Sequence, residues 1–131
     1  MGAMGLRDRL LNKMTPDGGI SVEEALQLLA SGGVLCDVRS QGEYEAGHAP
    51  GARLVDVKLL GADVMDAVYP GDPFAEPDKT IVLICDTGLR SGHAVKLVEQ
   101  QGMAAEFVQG GLMAWRDAGQ ILIPGPPRSR R

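Results

Sequence analysis

A chain of 131 residues with ordinary apolar and charged fractions is one domain's worth of protein, long enough to bury a core. Its net charge of −4 gives no overall attraction to nucleic acid. The one basic run, Arg128, Arg130 and Arg131, falls in a terminal tail where arginines are most often solvated. Two cysteines, Cys36 and Cys85, make no disulfide framework, and no stretch reaches the length of a membrane span. The apolar positions of 6–14 are interrupted by Arg7, Asp8, Arg9 and Lys13, unlike a signal peptide. A reduced, cytoplasmic setting is expected.

Met1-Gly2-Ala3-Met4-Gly5 is unlike a natural start and is set aside as a leader foreign to the fold. Leu6, Leu10, Leu11 and Met14 share one helical face, so residues 1–15 are read as an extension with a short helix that ends before Pro16. Thr15 to Gly19 is a turn. Ser21 to Ser31 is a helix: Ser21 caps it, Glu24 completes a capping box, and Val22, Ala25, Leu26 and Leu29 form the apolar stripe. Val34 to Val38 is a buried strand, and Gln41 to Ala46 one or two helical turns. Residues 47–51, Gly-His-Ala-Pro-Gly, form a loop.

Arg53 to Val57 is expected to be a strand, Asp56 to Val68 a broken helix, and the proline-rich stretch Tyr69 to Asp78 a loop. Thr80 to Ile84 is the clearest strand, and its all-apolar run implies burial on both faces, as in a parallel sheet. Ser91 to Gln101 is a helix with Ala94, Val95, Leu97 and Val98 inward. Ala105 to Val108 is a strand, Gly110-Gly111 a turn, and Leu112 to Ala118 a helix that stops at Gly119. Strands alternating with helices indicate an open α/β domain over residues 16–120, followed by a flexible tail, 121–131.

In such a domain chemistry gathers at the C-terminal ends of the strands. Cys85 sits there, followed by Asp86, Thr87, Gly88, Leu89 and Arg90, with a helix starting near Ser91. The free backbone N–H groups of a tight loop and a helix N-terminus converge on one spot, where they stabilise a thiolate, a persulfide sulfur or an incoming anion. Gly88 permits the backbone that this cradle needs, and Arg90 places a cation at its mouth. Free cysteines are usually inert core residues, but an inert one needs neither the glycine nor the arginine beside it.

The segment Cys85-Asp86-Thr87-Gly88-Leu89-Arg90-Ser91 resembles the active-site loop of the rhodanese family. Cys36-Asp37-Val38-Arg39 together with residues 43–52 resembles the family's first signature, and Gly110-Gly111-Leu112-Met113-Ala114-Trp115 its closing one. The three motifs occur in order and span residues 20–119. The resemblance implies a five-stranded, mainly parallel sheet flanked by helices. It also implies transfer of sulfane sulfur from thiosulfate or a persulfide to a thiol or cyanide acceptor through a persulfide on Cys85, with Asp86 to Ser91 as the substrate-binding loop. Related phosphatases of this architecture have one more residue between cysteine and arginine, and the shorter loop here suits a single sulfur atom rather than a tetrahedral oxyanion. Many rhodaneses carry a basic or neutral residue after the cysteine. Asp86 departs from that: a carboxylate there opposes a thiolate and repels thiosulfate, unless its side chain turns to solvent and is screened, and it points toward a bulkier or protein-bound persulfide as donor.

Asp37 and Arg39, at the end of the neighbouring strand, are supporting residues, with an Arg39–Glu43 salt bridge expected to fix the loop. Cys36 and Trp115 are read as core residues, His48 as a hydrogen-bonding turn residue and His93 as a helix-surface residue. Two histidines without ligand spacing predict no metal site, and no nucleotide-binding glycine motif or other cofactor signature is present. The expected partners are a small-molecule sulfur donor and a thiol acceptor, such as a thioredoxin-like or other protein thiol, with neither nucleic acid nor membrane. The alternatives are a non-catalytic sulfur carrier, sensor or docking module and, on fold analogy alone, a phosphatase or arsenate reductase.

Overall fold

The computed structural model describes residues 18–127, so the expectations for 1–15 lie outside the described residues. In chain order the elements are α1 (Val22–Ala30), β1 (Val34–Asp37), α2 (Gln41–Ala46), β2 (Arg53–Leu54), α3 (Val57–Ala62), α4 (Val64–Val68), β3 (Ile81–Ile84), α5 (Leu89–Glu99), β4 (Ala105–Phe107) and α6 (Gly111–Asp117). The strands form one parallel sheet in the order β2-β1-β3-β4.

Every residue of β3 is buried, as its unbroken apolar run predicts. Alternation divides its side chains between two cores. Ile81 and Leu83 pack with Leu60, Val64, Val68, Ala94 and Val98 on the face covered by α3, α4 and α5. Val82 and Ile84 pack with Val22, Ala25, Tyr44, Leu112 and Trp115 on the face covered by α1, α2 and α6. Each of these large β3 side chains contributes about 1.5–3 kcal/mol by leaving water. The result is a three-layer α/β domain with Cys85 at the upper end of its central strand.

The sheet has four strands among the described residues instead of the expected five. The fifth position is occupied by a single residue: Ile20 bridges Val108 in parallel fashion, donating to the Phe107 carbonyl at 2.8 Å and accepting from Gln109 at 2.9 Å. Gly18 and Gly19, both at positive φ, turn the chain into this position, and Ser21 caps α1 immediately after it, so no extended run can form. β2 is likewise shorter than expected because Asp56 caps α3 through the Lys58 N–H. The broken helix divides at Asp63, whose extended backbone ends α3 and whose carboxylate caps α4.

The chain beyond Gly119 is not tail throughout. Ile123 and His48 exchange backbone hydrogen bonds at 2.8 and 2.9 Å, and the Gly125 N–H donates to Glu45. Leu122 packs against the core beneath α2. No helix among the described residues is long and apolar enough to cross a membrane.

Candidate active site

Gly88, at φ 99°, lets the chain reverse directly after the strand, and α5 begins at Leu89, two residues before the expected start. Leu89 and Arg90 therefore belong to the first helical turn. No side chain of the N-cap residue can satisfy that turn, because the N-cap is the glycine itself. The sulfur of Cys85 takes that place. It accepts from the Gly88 N–H at 3.2 Å and from the Ser91 N–H at 3.4 Å, and the Ser91 hydroxyl lies 3.4 Å away. An oxygen acceptor ordinarily occupies this N3 capping position. Here a buried sulfur sits where the amide dipoles of an 11-residue helix converge.

A second helix terminus holds the loop from the other side. The Leu112 N–H donates to the Cys85 carbonyl at 2.8 Å, and the Met113 N–H to the Asp86 carbonyl at 3.2 Å. This contact requires Gly111. A Cβ there would overlap the Cys85 carbonyl oxygen and stand 2.5 Å from that of Asp86, at a φ of 58°. Gly111→Ala should displace the loop and cost about 2–4 kcal/mol from overpacking and the left-handed backbone. Denaturant unfolding of the variant reads this directly, and a loss below about 1 kcal/mol contradicts the packing argument.

Charge around the loop is arranged differently from the expected Arg39–Glu43 bridge. Arg39 grips Asp37 with its Nε and Nη2 atoms, the latter at 2.8 Å, and also donates to the Gly47 carbonyl at 2.7 Å. Asp37 is fully buried and Arg39 nearly so. Burial pulls the Arg39 guanidinium down, but the hydrogen bonds and charge of Asp37 more than offset it and hold it above its usual value. Glu43 instead binds Arg90 through both carboxylate oxygens, at 2.8 and 3.0 Å. Arg90 keeps the Glu43 carboxyl well below the usual carboxylate range, helped by the Ser40 N–H, and Glu43 in turn raises Arg90. The chain distance explains the exchange of partners: Asp37 lies two residues from Arg39 on the same strand end, whereas Glu43 crosses from α2 to the first turn of α5.

Asp86 bridges the two arginines, 3.4 Å from Arg39 and 3.1 Å from Arg90. Its half-exposed carboxylate is thus paired with both guanidiniums. Thr87 is exposed at the mouth. Cys36 is fully buried and pairs in register with Leu83, two residues before Cys85. His48 hydrogen-bonds the Tyr44 carbonyl at 2.8 Å and stacks on the Tyr44 ring, fixing the turn as expected. His93 is on the helix surface and Trp115 in the core. Sequence reasoning missed two contributors: Glu43 as the partner of Arg90, and Gly111 as the point of closest approach. A glycine pair directly ahead of a helix is the signal that could have indicated the second.

The parallel sheet, with a cysteine at the end of its central strand whose sulfur caps the next helix, defines an α/β domain of one recognisable class. The chain belongs to the rhodanese-like domain family, whose family model matches residues 21–118. It is similar to the "Probable adenylyltransferase/sulfurtransferase MoeZ" of Mycobacterium tuberculosis, with 37% identity over 82 residues; the match covers 62% of this chain and 19% of that protein. It is also similar to the thiosulfate sulfurtransferase GlpE of Pseudoalteromonas translucida, with 28% identity over 101 residues, covering 76% of this chain and 89% of that one. The structure of the human single-domain sulfurtransferase TSTD1 superposes with a TM-score of 0.63 at 30% identity, over 76% of this chain and 95% of the other. The fold is that of the rhodanese-like sulfurtransferases.

Proposed function

We propose that the protein is a sulfurtransferase that carries sulfane sulfur as a persulfide on Cys85. The observation that carries this reading is the capping of α5 by the Cys85 sulfur, with the Gly88 and Ser91 amides and the Ser91 hydroxyl directed at it. Membership of a family whose similar members include sulfurtransferases supports it.

In the first half-reaction the Cys85 sulfur attacks the outer sulfur of a donor. A new S–S bond forms, the donor's S–S bond breaks, and its electron pair leaves with the donor's remaining sulfur. The amides that held the thiolate then hold the persulfide, and they need not move as charge shifts from one sulfur to the next, which is electrostatic preorganisation. In the second half-reaction an acceptor thiolate attacks the outer sulfur and Cys85 is regenerated. A covalent intermediate divided between two substrates predicts ping-pong kinetics. Ser91 can donate to either sulfur through its hydroxyl, and Gly111 with α6 holds the Cys85 carbonyl, so the nucleophile is fixed on both sides.

The test is the intact mass of reduced protein after exposure to thiosulfate or to a low-molecular-weight persulfide. The expected result is a gain of one sulfur atom, reversed by excess thiol. No gain with any donor, while Cys85 remains alkylatable, overturns the reading in favour of a non-catalytic module.

A further inference from the structure

Glu43 lies outside the active loop, on α2, and contacts neither Cys85 nor its amides among the described residues. Yet it ties up the cation that the loop carries. Both terminal nitrogens of Arg90 are engaged: Nη1 by Glu43, and Nη2 by Glu43 and Asp86. The second guanidinium, Arg39, is held by Asp37, the Gly47 carbonyl and Asp86. The exposed Arg90 and the nearly buried Arg39 thus face three carboxylates, Asp37, Glu43 and Asp86. Leu89 and Met113 are 45% and 62% exposed, and Met113 sits where its backbone binds the Asp86 carbonyl.

We infer that Glu43 is a specificity-determining residue that, together with Asp86, closes the site to dianionic thiosulfate and selects an alkyl persulfide as the sulfur donor. The inference rests on the sulfurtransferase reading above. Thiosulfate brings two negative charges to a thiolate and must expel sulfite as a dianion, so its reaction depends on uncommitted positive charge near the sulfur. The R–S–SH group of an alkyl persulfide brings no charge to the reacting sulfur, and any carboxylates of R lie several bonds away from it. When Cys85 attacks its terminal sulfur, the donor's S–S bond breaks, the electron pair leaves as R–S⁻, and solvent supplies the proton to that single thiolate. The exposed side chains of Leu89 and Met113 offer apolar surface to the carbon side of such a donor.

The experiment measures the rate of sulfur loading onto Cys85, by mass, from thiosulfate, cysteine persulfide and glutathione persulfide. Wild type is compared with Glu43→Gln and Asp86→Asn. Glutamine keeps the capping box of α2, since it too can reach back to the Ser40 N–H. Wild type is expected to load from both alkyl persulfides at least about tenfold faster than from thiosulfate, and each variant to shift that ratio about tenfold toward thiosulfate, the order of one unit charge at this range. A purely structural role for Glu43 would slow all donors alike and leave the ratio unmoved. Thiosulfate loading as fast as persulfide in wild type, or a constant ratio in both variants, overturns the inference. Failure of every donor overturns the underlying sulfurtransferase reading as well.

Discussion

Cys85→Ser is expected to abolish sulfur loading and to lower turnover by at least about three orders of magnitude, as for other enzymes deprived of the nucleophile that forms the covalent intermediate. The hydroxyl oxygen can still accept from the Gly88 and Ser91 amides, so the cap of α5 and the fold should persist. What is lost is the chemistry: a serine hydroxyl is far less acidic than a thiol, and an oxygen–sulfur bond does not store sulfur as a disulfide-type bond does. Circular dichroism should show a folded variant, and mass analysis should show no adduct. The paired control is Cys36→Ala, which should load normally, because Cys36 is a fully buried residue in the sheet away from the loop amides. Turnover retained in Cys85→Ser, or lost loading in Cys36→Ala, would put the carrier sulfur at the wrong cysteine.

The largest effect on stability is expected from Arg39→Met. The side chain is nearly inaccessible, and its partner Asp37 is completely so. Removing one member of such a pair leaves an uncompensated buried carboxylate, at a cost of about 3–5 kcal/mol. For a domain of this size that is a large part of the total stability and should lower the melting temperature by roughly 10–20 °C. Asp86 would lose one of its two cationic partners at the same time, so the active loop should loosen ahead of global unfolding. Hydrogen exchange at Gly88 and Ser91 reports that loosening. The double variant Asp37→Asn/Arg39→Met removes the charge and should recover much of the loss, since an asparagine can still accept the backbone N–H at position 39. A loss below about 1 kcal/mol in the single variant, or no recovery in the double, would contradict the buried-pair argument.

These two variants separate what was legible in the chain from what was not. Cys85 at the end of an all-apolar strand, Gly88 behind it and the capping box at Ser21 are local features, decided by residues within a few positions of one another. Periodicity and turn chemistry report such features directly. The alternation of strands and helices, and with it the parallel sheet and the location of the candidate site, followed from the same short-range signals.

Other features depend on residues far apart in the chain. The sequence suggested Glu43 as a partner for Arg39, four residues away, whereas the fold brings it to Arg90, 47 positions on. No partner for Asp86 was legible in the sequence, and it is the sheet that places Arg39 against it. The fifth strand shrank to Ile20 because helix capping at Ser21 competes with strand pairing and wins locally. Gly111 read as a turn residue, and only the docking of α6 on the Cys85 and Asp86 carbonyls shows why no side chain fits there. By itself the sequence determined the elements, the fold class and the candidate nucleophile, because backbone propensity and apolar spacing act over one or two turns. The tertiary structure alone decided which charges neutralise which, because ion pairing depends on distance in space and the sheet brings α2, the end of β1 and the start of α5 together at one edge of the loop.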